Sequence, residues 1–366
     1  MTLIFWLFVG STLIQIAFWG GLFTQFAFYK KPKNSPKKEE SVSIIICARN
    51  EEKNLKKNLS RILNQNYRSF EVIVVNDAST DDTKNILLDF NIEYPNLRIV
   101  TIDQKPKKSL GKKHALSKGI DTAKHDVLLL TDADCRPSSN NWLRKMQGSL
   151  QGAVDIGLGY GPYERSNSWL NKFIRFETVL TAVQYFSYAL VGLAYMGVGR
   201  NLIYRKSLFK RVGQFNTHLH VTSGDDDLFI REAAKLSRVN IIIDSDAFMY
   251  SPPKTSWTAY QQQKNRHYTT SRFYRPIHQF LLGLFASSHL LHFIGGSVLL
   301  FNFSTMFVTL FLYGVRILVV MIVLHFALKQ LKESDLWYWV PILDIALVIH
   351  YLVFAPGLLT SKTRKW

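Results

Sequence analysis

The sequence predicts an α/β domain with a mostly parallel, Rossmann-like sheet, carried between N- and C-terminal transmembrane helices. Three observations predict it. Between about Ser41 and Lys254, short β-branched apolar runs alternate with segments of helical spacing; charge-free apolar stretches flank that region on both sides; and the apolar runs end on carboxylates. Continuous apolar strands alternating with helices belong to parallel sheets covered on both faces. A charge-free stretch of about 26 residues is long enough to cross a hydrocarbon core.

The first element is the run from Leu3 to Phe28, which holds no charged residue. As a helix it reaches roughly 39 Å, against a hydrocarbon core of about 30 Å. It has neither a basic start nor a small-residue cleavage site, so residues 1–29 are expected to be a retained anchor rather than a signal peptide. "YKKPKNSPKKEES" then reads as a solvated basic linker over residues 30–40, whose lysines place that end on the cytoplasmic side.

Residues 41–254 carry the sheet. "VSIIICA" (42–48), "EVIVVND" (71–77), "LRIVTID" (97–103) and "DVLLLTD" (126–132) are the expected strands. Between the first two, "NEEKNLKKNLSRILNQ" sets Leu55, Leu59, Ile62 and Leu63 on one helix face. In such sheets ligands bind beyond the carboxyl ends of the strands. Those ends carry Arg49, Asn50 and Glu51, then Asp77, then Asp103, then Asp132 and Asp134. Two carboxylates one residue apart could hold a divalent ion and the ribose of a nucleotide, because Mg2+ and Mn2+ prefer oxygen ligands and bridge carboxylates to phosphates. They could equally end a strand and cap the next helix.

Three later stretches complete the pattern. From Val179 onward about 20 residues lack charge, long enough for a span, yet one crossing there would separate Asp225 from Asp134 by the membrane. Residues 169–195 are therefore expected to form a buried or interfacial helix, with Lys172 and Arg175 at the surface. "HVTSGDDDLFIREA" (220–233) places three adjacent acids together, either a solvated turn or an acidic site. In "QQQKNRHYTTSRFYRP", within an interfacial segment 255–276, Gln263 and Arg266 are three apart and share a face if helical.

Residues 277–366 hold two to three further spans. Stretches 279–301 and 303–328 make a hairpin, while 337–359, with Pro341, Asp344, His350 and Pro356, either crosses or is re-entrant or broken. Arg316 inside the second span is costly in lipid and is expected to face protein or water. The net charge of +18 is concentrated beside apolar segments. Membrane lipids and anionic small substrates explain it, and no nucleic-acid partner is expected. Cys47 and Cys135 are too few for a disulfide framework.

"CARNEE", "VVNDASTDDT", "GKKHAL", "TDAD", "SGDDDL" and "QKNRH", in that order over residues 41 to 275, resemble the motifs of membrane-bound family 2 glycosyltransferases with a GT-A fold, relatives of cellulose, hyaluronan and poly-N-acetylglucosamine synthases and of ceramide glucosyltransferase. The resemblance implies transfer of a sugar from a nucleotide-diphosphate donor, usually UDP-linked, with inversion at the anomeric carbon. It implies that Asp77 meets the nucleotide base, that Arg49 and Glu51 lie near the uridine, and that Lys112 and Arg266 reach the diphosphate with Gln263 and Asp132 on the donor. Asp134, with Asp132, would hold Mg2+ or Mn2+. The family pattern E-D-x-D-L aligns Asp225 with the catalytic base, with Gly224 in place of the glutamate and Asp226 as a rival acid or acceptor contact. His267 stands where the family places an acceptor-platform tryptophan, Cys47 replaces a proline, and Ser117 an asparagine.

The expected chemistry needs one base: an acceptor hydroxyl attacks, its proton passes to Asp225, and a diphosphate leaves. A glycosidase would need a second carboxyl group to protonate its leaving alcohol. The expected enzyme is multi-pass, with a cytosolic catalytic domain and a lipid or lipid-linked glycan as acceptor. A processive polysaccharide synthase, a nucleotidyl transferase and an inactive membrane scaffold are the alternatives.

Overall fold

The computed structural model describes residues 2–31, 39–103, 111–221 and 223–360, with side chains through Phe354. Most of the basic linker and the C-terminal "SKTRKW" lie outside the described residues. In chain order the elements are α1 (Thr2–Ala17), a π turn (Phe18–Leu22), α2 (Thr24–Ala27), β1 (Val42–Ala48), α3 (Glu52–Leu63), β2 (Phe70–Asp77), α4 (Thr83–Glu93), β3 (Leu97–Ile102) and α5 (Lys112–Thr122). Then come β4 (Val127–Asp132), β5 (Arg136–Pro137), α6 (Trp142–Gln147), β6 (Val154–Gly159), α7 (Trp169–Leu190), β7 (Leu202–Arg205), α8 (Lys206–Arg211) and α9 (Asp227–Ala233). The last are β8 (Arg238–Ile242), β9 (Met249–Tyr250), α10 (Trp257–Tyr268), α11 (Pro276–Leu299), α12 (Phe303–Gln330) and α13 (Val340–Thr360).

The chain divides into two compact units. The α/β unit is built from Lys31–Arg165 and Gly192–Lys254; the helical unit takes the N-terminal helices, Ser166–Val191 and the chain from Thr255 onward.

In the α/β unit a seven-stranded sheet runs in the order β3-β2-β1-β4-β7-β6-β8. The first four strands pair in parallel, while β7 runs antiparallel to both β4 and β6, and β8 pairs parallel with β6. Successive strand residues alternate between faces, and both faces are apolar here. Ile44, Ile46, Val72 and Val74 join Leu55, Leu59 and Ile62 of α3 and Trp142 and Met146 of α6 in one core. Each such fully buried aliphatic side chain contributes about 1.5–3 kcal/mol.

Ile45 and Val75 point the other way, onto α5, where Gly119 lets helix and sheet touch. A Cβ on Gly119 would lie 2.7 Å from Ile45 Cγ2 and 2.9 Å from Val75 Cγ2. Gly119→Ala is therefore expected to destabilise the protein by about 1–3 kcal/mol through overpacking, despite alanine's better helix propensity. A thermal melt checks this; an unchanged or raised Tm would mean the layers have slack.

In the helical unit four helices are long and apolar enough to cross a membrane, among the described residues: Thr2–Ala27, Pro276–Leu299, Phe303–Gln330 and Ser334–Phe354. Their interior carries a polar cluster. Arg316 forms an ion pair with Asp344 and also donates to Gln15 Oε1 at 3.0 Å, with His289 Nδ1 at 3.1 Å. Gln15 in turn donates to Ser288 Oγ at 2.8 Å, and Thr12 meets His292 Nδ1 at 2.8 Å. Arg316 thus faces protein, 1% exposed.

One expectation is corrected, and one left open is decided. Arg175, placed at the surface by sequence, is buried, donating to Glu333 at 2.9 Å and to Asp335 at 2.7 Å. Its partners lie some 160 residues further on, invisible to any local pattern, and without them a buried guanidinium would be prohibitive. The final segment is one helix rather than a broken one. Pro341 sits in the first turn of α13, where its missing N–H costs nothing.

Candidate active site

The site stands at the carboxyl ends of β1, β2 and β4. Asp132 is the last residue of β4, beside Cys47 of β1 in parallel register. The chain then turns so that the Cys135 amide donates to the Asp132 carbonyl at 3.1 Å, while Asn58 of α3 donates to the Asp134 carbonyl at 3.3 Å. Donor atoms of Asp132, Asp134 and Cys135 all lie within 4.8 Å of one another. Burial and then the Asp132 charge push the Asp134 carboxyl up, the signature of two acids held closer than they would settle alone. Burial, with both acids nearby, likewise pushes the Cys135 thiol well up. The two carboxylates are oxygen donors of the kind a hard cation takes, and they fit Mg2+ or Mn2+.

Lys112, at the start of α5, ties this pair to a third acid. Its Nζ lies 2.5 Å from Asp132 Oδ1 and 3.5 Å from Asp225 Oδ2. Burial works against the ammonium, but Asp132 and Asp225 outweigh it and raise Lys112 well above the ordinary lysine value.

Asp225 precedes α9 in a turn shaped by Gly224. Gly224 has φ +92°, and a Cβ there would lie 2.6 Å from Leu228 Cδ1. Both facts would strain the glutamate of the family pattern on this backbone. The three adjacent acids then differ in their surroundings. Asp226 accepts the Gly199 amide on one oxygen and the Asp227 amide on the other, both at 2.8 Å. Burial, then Asp225 and Asp227, push its carboxyl up to about 7. Asp227 is buried and accepts the Leu228 amide at 2.7 Å. Asp225, its side chain 15% exposed, is the one directed at Lys112.

The loops after β1 and β2 are laced together. Asn50, at φ 56°, accepts the Thr80 amide at 2.8 Å, and the Glu51 amide donates to Thr83 Oγ1 at 2.9 Å. Asp77 ends β2 and is buried; Arg49 is exposed just beyond β1. Glu51 accepts from Asn54 at 2.6 Å, yet burial dominates and raises its carboxyl, with Asp134 and Asp132 adding to the rise.

Gln263, Arg266 and His267 lie on α10 of the helical unit, which is helical as their spacing requires. Tyr260, Lys264 and Tyr268 form a stripe along that helix. Lys264 Nζ meets Glu177 at 2.5 Å and the Tyr268 hydroxyl meets His350 Nε2 at 2.6 Å.

Two residues beside the site lie in "GVGRNLIYRK", which resembles the family's glycine and asparagine turn near the acceptor, a resemblance that assigned neither of them a role. Asn201 is fully buried: its amide donates to the carbonyls of Tyr160 and Ala247 at 2.8 Å and its oxygen accepts from Trp142 Nε1 at 2.9 Å. Arg200 donates through Nε to the Gly161 carbonyl at 3.1 Å and stacks 4.7 Å over the Tyr163 ring. The only signal for either was the glycine-rich "GVGRN".

The chain is similar to known glycosyltransferases. The model of the family described as glycosyl transferase family 2 matches residues 43–213. A glycosyltransferase of Haloferax volcanii, AglE, is 29% identical over 193 residues, half of this chain and 58% of that protein. A probable glycosyltransferase of Bacillus subtilis, YdaM, is 32% identical over 158 residues, 40% of this chain and 37% of that protein. The chain therefore spans less than two thirds of either. A mannosyltransferase of Pyrobaculum calidifontis, solved with GDP-Man and Mn2+, superposes with a TM-score of 0.57 at 18% identity, over 93% of this chain and 99% of that one, a likeness of fold. The fold is the mostly parallel GT-A type that the motifs implied.

Proposed function

We infer, for a chain whose residues 43–213 match the model of glycosyl transferase family 2, that it transfers a sugar from a nucleotide diphosphate, most simply a UDP-sugar, to a lipid or lipid-linked glycan. The observation that carries this reading is the series Asp134, Asp132, Lys112, Asp225: an acid pair suited to a hard cation, joined through one lysine to a separate acid.

Each group has a part. Asp225 takes the proton from the acceptor hydroxyl as its oxygen bonds to the anomeric carbon. The carbon–oxygen bond to the diphosphate breaks in the same step and its electron pair leaves with the diphosphate, so a single displacement inverts the centre. Lys112, drawn from its two carboxylates by the more strongly charged diphosphate, neutralises it as it departs. Asp132 and Asp134 would hold Mg2+ or Mn2+, which supplies further positive charge to the leaving group. Asp77, Arg49 and Glu51 form the nucleotide end of the site. Gln263 and Arg266 are assigned to the donor and His267 to the acceptor. Asp226 fixes the turn through the Gly199 amide and so shapes the acceptor side. The four apolar helices support membrane association and an acceptor delivered at the membrane surface, with the α/β unit cytoplasmic.

The test is calorimetric binding of UDP to the detergent-purified protein. Binding should require Mn2+ or Mg2+, vanish with EDTA, and weaken at least about tenfold in Asp134→Ala, in line with the loss of a first ligand or its support. UDP binding unchanged by EDTA and by Asp134→Ala would overturn the metal assignment. Absence of UDP binding with GDP bound instead would move the donor class.

A further inference from the structure

Lys113 is 0% exposed, although it follows Lys112 at the start of α5. Its Nζ donates to the His218 carbonyl at 2.7 Å and the Val221 carbonyl at 2.9 Å. Both carbonyls belong to the segment that leads into Gly224 and Asp225. A lysine buried to this degree is expensive and persists only where its bonds hold something in place. Consecutive lysines therefore grip the acidic turn in two ways: Lys112 by the Asp225 carboxylate, Lys113 by the main chain just before it.

We propose that Lys113 is a positioning residue for the base: its ammonium, clamped on the His218 and Val221 carbonyls, fixes where the turn presents Asp225. The proposal rests on the reading of Asp225 as general base. Among the described residues, the side-chain hydrogen bonds of Lys113 go to these two carbonyls and not to Asp132 or Asp134. The charged groups facing it are Asp225, Asp227 and Asp226 of the turn and, across the clamp, the His218 ring. That ring, pushed down to about 4 by burial and then by Lys113, adds no charge near neutrality.

Burial pushes Lys113 down to about 8, against the pull of Asp225, Asp227 and Asp226. A folded value below the ordinary 10.5 means that the unfolded chain holds more protons between about 8 and 10.5, so folding stability rises with pH across that window. The clamp weakens over the same window, since a neutral amine donates less strongly than an ammonium. Activity that falls with rising pH where stability does not fall is the mark of this residue.

The experiment compares wild type with Lys113→Met by hydrogen exchange of the 223–229 amides and by the kinetics of UDP release from UDP-N-acetylglucosamine and other UDP-sugars. Expected in Lys113→Met are at least tenfold faster exchange in that stretch, a kcat at least tenfold lower, a donor KM within threefold of wild type, and loss of the alkaline fall near pH 8. Unchanged exchange, or a kcat within twofold of wild type, overturns the proposal. If Lys113→Met does not fold, wild-type exchange decides: the 223–229 amides should accelerate above pH 8 beyond the β1 amides, and parallel behaviour overturns the clamp. Wild type that releases no UDP from these donors and no GDP from GDP-linked sugars tried beside them defeats the glycosyltransfer reading, while the exchange comparison still decides the clamp.

Discussion

Asp225→Asn is expected to lower the turnover of sugar transfer by roughly 10²–10⁴-fold, the usual contribution of a positioned general base. Asparagine keeps the volume and one acceptor oxygen, so the turn at Gly224 and the amide contacts of Asp226 and Asp227 should persist. Lys112 retains Asp132 as its partner. UDP binding should therefore stay within about threefold of wild type while kcat collapses, the pattern of an interaction made in the transition state. Asp226→Asn separates the two adjacent acids: both Asp226 oxygens are engaged by backbone amides, so its loss should disturb the turn and raise the acceptor KM rather than abolish chemistry. A larger kcat loss in Asp226→Asn than in Asp225→Asn would reassign the base.

Asp344→Ala is expected to be the most destabilising single change in the helical unit, at about 3–5 kcal/mol. It strands Arg316, 1% exposed, with Gln15 and His289 as its remaining hydrogen-bond partners among the described residues and the Phe293 ring beside it. Coulomb attraction offsets desolvation only while both charges are present. Removing both, as Arg316→Met with Asp344→Leu, should recover much of the loss, because two apolar side chains of similar volume need no desolvation. Thermal melts in detergent check the pair. A Tm for Asp344→Ala within about 2 °C of wild type would mean that water reaches Arg316 and that the cluster is not sealed.

Much of the α/β unit was legible because its strands advertise themselves. β1, β2 and β4 are apolar runs buried almost throughout, and β2 and β4 end on Asp77 and Asp132, carboxylates that a core cannot absorb, so both the parallel half of the sheet and the ligand edge could be read, with β3 its partly buried edge strand. The other half could not. β7 is four residues long and is defined by antiparallel pairing with β4 and β6, a tertiary fact with no local pattern. The same holds for charges. Arg316 announced itself by standing in an apolar run, whereas Arg175 looked like an interfacial cation because Glu333 and Asp335 are remote in sequence. Lys112 and Lys113 are chemically identical neighbours; only the fold sends one to Asp225 and buries the other on main-chain carbonyls.

The fold also accounts for a departure from the family pattern. Gly224 at the glutamate position looks like a lost acid, but at φ +92° with the Leu228 side chain pressed against it any other residue would be strained. The turn has exchanged a carboxylate for a tighter path into α9, and Asp225 keeps its line to Lys112.

The central claim is that the acids around Lys112 transfer a sugar from a nucleotide diphosphate. It is tested most directly by UDP and GDP release from a panel of UDP- and GDP-linked sugars, using the detergent-purified protein with Mn2+ and membrane lipid extract. The prediction is release from one donor, dependent on the lipid extract and lost in Asp225→Asn. Release from no donor above the Asp225→Asn level, by protein that is folded and binds nucleotide, would contradict it.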